Sequence, residues 1–108
     1  MTALEDFKYW FQAHLTDLKA QCPDEPTRQQ LLGLFVKTCE AYEQSINKIL
    51  EPGNETAARL TGQLSDIQEQ VDHAIERQED IAAVIDKISI GTGIAVKLAG
   101  LFIPALKG

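Results

Sequence analysis

Glu69, His73, Glu76 and Asp80 stand four, three and four residues apart, so a helix through them carries all four on one face. Carboxylates grouped with an imidazole are donors for a divalent metal. The surrounding pattern argues for a plainer role. Apolar residues occupy the opposite face of the same stretch, and metal sites in helical bundles project inward from several helices. A solvated acidic face is therefore expected, with no metal ligand among its residues. His14 is a lone boundary histidine and offers no better site. Gly91-Thr92-Gly93 has two of the three glycines of a dinucleotide fingerprint but follows no strand pattern. No P-loop, nucleophile elbow or Cys/His zinc spacing is present. Catalysis needs polar groups that converge in a pocket, and nothing here supplies them. The chain is expected to be no enzyme, with no catalytic residue and no cofactor.

The two cysteines, Cys22 and Cys39, lie in a chain that opens Met1-Thr2-Ala3-Leu4-Glu5-Asp6, without a basic or an apolar leader. Free thiols and a cytoplasmic location are expected, the latter with possible membrane association. The net charge is −6, which leaves no excess of cations to replace phosphate counterions, so nucleic acid is excluded as a partner. That charge is unevenly placed. All sixteen acids lie at or before Asp86, giving residues 1–87 a charge of −8, whereas residues 88–108 hold only Lys97 and Lys107 and carry +2.

These residues must be positioned by helices. Leu60, Leu64, Ile67 and Val71 lead through Ala74 to Ile81, Ile85 and Ile88 in steps of three and four, with Gln78 filling one missed beat. That is a heptad seam, and a long helix bearing it needs partners in water. Gln78 reads as a polar layer that sets register or subunit number, or that reaches out to solvent. Thr2 with Glu5 is a capping-box spacing and opens a first helix over residues 3–21, whose buried stripe is Leu4, Phe7, Phe11, Leu15 and Leu18. Pro23 stops it. Asp24 or Glu25 caps a second helix over residues 26–51, with Pro26 in its first turn. Its expected stripe is Leu32, Phe35, Cys39, Tyr42, Ile46 and Ile49, with Leu31, Val36 and Leu50 widening it. Pro52-Gly53-Asn54 turns the chain into a third helix over residues 55–89. The fold class is all-α: an antiparallel bundle of three long helices with an apolar C-terminal helix, either a fourth helix or a continuation of the third. Residues 1–90 form the acidic bundle and residues 91–108 the tail.

The tail is apolar but not decisively so. Residues 88–106 contain nine Leu, Ile, Val and Phe, worth roughly −4 kcal/mol on an insertion scale, against about +3 for a central Lys97. Gly93, Lys97, Gly100, Pro104 and Lys107 recur at four and three and form one small or cationic stripe. Gly91, Ala95 and Ala99 are small residues four apart, a spacing that lets helices approach closely. Gly91-Thr92-Gly93 reads as a hinge or turn.

The leading expectation is a bundle that self-associates through the seam and presents this tail to a membrane, as a peripheral anchor or a pore or lesion component. The docking residues would be Ile90, Gly93, Ile94, Lys97 and Leu98, then Gly100, Leu101, Phe102, Ile103 and Lys107. Expected partners are further copies of the chain or another helical protein, and anionic lipid. The alternative is a soluble acidic interaction module, an inhibitor or adaptor, with the tail packed as a fourth bundle helix.

Overall fold

A computed structural model of the protein describes residues 2–105; Lys107, one of the expected docking residues, lies outside them. Four helices pack against each other and account for 78% of the described chain. They are α1 (Ala3–Gln21), α2 (Glu25–Ser45), α3 (Glu55–Glu76) and α4 (Ile81–Ala99), with short strands β1 (Lys48–Leu50) and β2 (Phe102–Pro104).

Three helix starts follow the capping chemistry of the sequence. Thr2 Oγ1 accepts the Glu5 N–H at 3.1 Å, Asp24 Oδ1 accepts that of Thr27 at 2.9 Å, and Asn54 Oδ1 that of Ala57 at 2.9 Å. Gly53, at φ 83°, makes the turn before Asn54.

The chain between residues 55 and 89 departs from the expected single helix. It ends at Glu76, turns, and begins again at Ile81. Gln78 adopts φ 56°, in the left-handed region. Its N–H reaches Ile75 O and that of Glu79 reaches Ala74 O, both at 3.0 Å, which together form a Schellman C-cap. Gln78 is thus an exposed helix terminator and not a layer of a seam. Asp80 follows as the cap of α4, and so leaves the face that Glu69, His73 and Glu76 share. A left-handed Gln costs about 1–2 kcal/mol. Folding α4 back buries Ile81, Val84, Ile85, Ile88 and Leu98, each worth about 1.5–3 kcal/mol, so the turn wins. Gly91-Thr92-Gly93 is no turn; α4 runs straight through it.

α1 packs on α2 and α3, and α4 packs on α3 and α2 with a smaller contact to α1. α2 and α3 therefore lie on opposite sides of α4 and are not the neighbours that a simple meander predicts. Aromatic contacts Tyr9–Tyr42 and Phe11–Phe35 set α1 antiparallel to α2. The core centres on Phe7, Phe11, Leu31, Leu64, Val71, Ile85 and Ile88.

α2 ends six residues earlier than expected. Asn47 takes φ 61°, and residues 48–50 form β1, which pairs antiparallel with β2 in the register Ile49↔Ile103. The inward face of α2 is also rotated. Leu31, Thr38, Ala41 and Ser45 are buried, whereas Val36, Ile46 and Ile49 are exposed. Of the expected stripe, Leu31 is buried as expected, and Phe35 and Tyr42 meet Phe11 and Tyr9 of α1. The observed one lies between α1 and α4, where small and hydroxyl side chains let α4 come near.

Candidate docking groove

The helix that the tail reading placed against lipid is enclosed by its own chain. Leu98 and Phe102 are buried, and Ile94 and Leu101 pack against the core half-covered. Ile103 is half-buried in β2. Of the expected docking residues, Ile90, Gly93, Lys97 and Gly100 face outward. The seam is filled as well: Leu60, Leu64, Ile67 and Val71 on α3, and Ile81, Ile85 and Ile88 on α4, are all buried within one chain. A second copy has no access to them. Among the described residues, no helix is long and apolar enough to cross a membrane.

The small residues Gly91, Ala95 and Ala99 do line a close approach, inside the monomer. A Cβ on Gly91 would stand 2.6 Å from Phe7 Cζ and 3.2 Å from Ile67 Cγ2, so only glycine lets α4 settle against α1 and α3. One residue on, Thr92 turns to α2. Its Oγ1 lies 3.0 Å from that of Thr38, which donates in turn to Leu34 O at 2.9 Å. The Thr92 hydroxyl is then the donor to Thr38, and both buried hydroxyls are satisfied. This pair fixes the register of α2 on α4, because a slip by one residue would strand two buried hydroxyls.

Outside the threonine pair the two helices diverge and leave a groove of about 560 Å³. Leu34 and Ala41 on α2, with Thr92 and Val96 on α4, form its floor; Lys37, Glu40 and Gln44 rise on one wall, and Ser89, Gly93 and Lys97 on the other. Val96 is 49% exposed. The open space continues over Gly93, where an added Cβ would meet nothing within 4 Å. Among the described residues Arg28 pairs with Glu25, and Arg77 and Lys87 with Glu79; the two groove lysines, Lys37 and Lys97, take part in no ion pair, and neither do Lys8, Lys19, Lys48 and Arg59 outside it.

Of these residues only Gly93 and Lys97 are among the expected docking residues; Thr92 belongs to the expected hinge. A signal for the close approach beside the groove is in the sequence: Thr38, Ala41 and Ser45 repeat small side chains at three and four on α2, and Gly91, Ala95 and Ala99 repeat them at four on α4. Hydrophobic periodicity passes over such residues.

Titratable groups with displaced pKa values serve local structure. Asp24 is held below the usual carboxylate range by the Thr27 hydroxyl and N–H that it caps. Glu25 is lowered by Gln29 and Arg28. Burial pushes the Cys39 thiol up, Lys8 opposing, which keeps it protonated and a poor nucleophile. The neighbouring Tyr9 side chain, with burial second, pushes Tyr42 up to about 12. Cys22 and Cys39 are both free thiols. Trp10 is nearly buried, stacks between Phe7 and His14, and donates from Nε1 to Asp72, which ties α1 to α3.

Compared with known proteins, the chain matches no family model, no curated protein and no solved structure.

Proposed function

We propose that this chain is an acidic interaction module, an adaptor or inhibitor without a reaction of its own, whose α2–α4 groove receives another protein. One observation carries the reading. The apolar face of α4 is used up inside the bundle, where Ile85, Ile88, Ala95 and Leu98 are all at most 1% exposed, so the helix is a structural member with little left for a bilayer. The seam that would have joined copies is covered in the same way. What stays open is a groove with an apolar floor, Leu34, Ala41 and Val96 beside Thr92, and mostly polar walls. The free thiols suit a reducing, cytoplasmic setting.

Truncation after residue 90 and vesicle flotation test the proposal together. The truncation removes Leu98 and Phe102, each worth about 1.5–3 kcal/mol of burial, together with Thr92 and Ala95. A domain holds only about 5–15 kcal/mol in total, so residues 1–90 are expected to lose their helical circular dichroism. The full chain is expected to stay with the aqueous fraction, as a monomer by light scattering. A folded 1–90 fragment, with a full chain that floats on anionic vesicles, would overturn the reading and restore the membrane one.

A further inference from the structure

We infer that the groove seats an amphipathic helix of another protein, laid along α2 and α4 with a small-residue stripe facing the cleft and an Asp or Glu over Lys37 or Lys97. This rests on the docking reading above and adds the occupant's chemistry.

Three observations select that occupant. The walls are helices, whose backbone N–H and C=O groups are already paired within themselves. They offer nothing to an extended segment, which would enter with its own backbone groups unmet, whereas a helix arrives self-satisfied. The length also fits. Leu34 to Gln44 spans ten residues of α2, a rise of about 15 Å, which matches between two and three turns of a bound helix. Ser89, Gly93 and Ala41 keep the cleft shallow in side chains, so two helical backbones can approach closely there.

Charge chooses the sign. Each wall presents one lysine that pairs with nothing among the described residues, and Glu40 is the only carboxylate in the lining. A carboxylate over either lysine is the matching group. The protein as a whole carries −6, however, and repels a polyanion at long range. The partner helix therefore bears one or two acids placed over the lysines, not an acidic tract.

The test is a displayed library of amphipathic helices with randomised charge, selected against the full chain. Recovered helices are then measured against Gly93→Leu, Gly62→Leu, and Lys37→Glu combined with Lys97→Glu. Gly93→Leu fills the groove without touching the core. Gly62 on α3 is likewise in open space, and serves as the matched control. The expected result is enrichment of helices carrying Asp or Glu beside a small-residue stripe. Their binding falls at least about tenfold with Gly93→Leu and with the double charge reversal, and is unchanged with Gly62→Leu. The charge-reversed protein keeps both glycines, so it decides the matter should Gly93→Leu misfold. Basic or uncharged helices that are lost with Gly93→Leu would overturn the acidic occupant and leave groove docking intact. Binders indifferent to Gly93→Leu, or no enrichment at all, would overturn both. A dimer of the protein alone that Gly93→Leu dissociates would assign the groove to a second copy and overturn the inference.

Discussion

Alanine at Gly91 and alanine at Gly93 should move stability in opposite directions, although the residues lie two apart on one helix. Both substitutions gain the helix propensity of alanine over glycine, about 1 kcal/mol. They differ in what the new methyl meets. At position 93 it meets nothing within 4 Å; at position 91 it stands 2.6 and 2.9 Å from the Phe7 ring and 3.2 Å from Ile67 Cγ2. Phe7 has no room to retreat, because it is fully buried and stacked on Trp10 at 5.9 Å between centroids. Overpacking of this kind costs about 1–3 kcal/mol. The propensity gain cancels in the comparison, so Gly93→Ala is expected to exceed Gly91→Ala by that full amount. Against the parent protein, Gly93→Ala gains up to about 1 kcal/mol, and Gly91→Ala loses up to about 2. In a domain of this size 1 kcal/mol moves Tm by about 4–8 °C. Urea unfolding, followed by helical circular dichroism and by the fluorescence of Trp10, the single tryptophan, reads both variants. Phe7→Leu should relieve Gly91→Ala, so the pair together should cost less than the sum of the two changes. If Gly91→Ala proves as stable as Gly93→Ala, α4 is not seated against α1, and the packing that underlies the proposed function is wrong.

Three further outcomes follow from the geometry. Gln78→Gly should stabilise the protein by about 1 kcal/mol in urea unfolding, because glycine takes the left-handed conformation of that turn without the Cβ penalty. Thr38→Val should cost about 1–3 kcal/mol by stranding the Thr92 hydroxyl, while Thr38→Val with Thr92→Val should recover most of it, as a double-mutant cycle will show. Tyr42 is the alkaline marker. Its folded pKa of about 12 lies above the ordinary 10, so the folded state holds that proton while the unfolded chain releases it. Stability should therefore fall as pH rises from 10 to 12, and Tyr42→Phe should remove both this decline and the tyrosinate absorbance step near 12.

Much of the fold was legible because local chemistry marks it. Thr2, Asp24 and Asn54 each place an acceptor where a helix leaves N–H groups unpaired, and that requirement operates within four residues. The apolar seam residues of α3 and α4 were legible as a stripe in need of cover, by self-association or within the bundle, since burial follows apolar periodicity whatever covers it. The spacing of Gly91, Ala95 and Ala99 announced a close approach of helices, though not whose. The break at residues 77–80 was less visible. Glutamine in the left-handed region has no local preference to announce it; long-range burial of α4 imposes the conformation. Asn47 was a readable terminator of α2, because asparagine tolerates φ 61° and commonly follows a helix end. The groove was hidden for a different reason. Its lining mixes Leu34 and Val96 with small, hydroxyl and charged residues that follow no apolar period, and its two walls come from helices far apart in the chain.

By itself, then, the sequence determined an acidic, all-helical chain, where its first helices begin, and which side chains seek cover. Those properties depend on capping, proline and glycine geometry, and periodicity, all of which act over a few residues. Only the tertiary structure decided what covers the apolar C-terminal stretch. A hydrophobic face is indifferent to whether lipid, a second copy or the same chain removes it from water. The choice fell to the turn at Gln78, which folds α4 back on α3, and to two contacts between residues that the sequence keeps apart, the absent side chain of Gly91 over Phe7 and the Thr38–Thr92 bond.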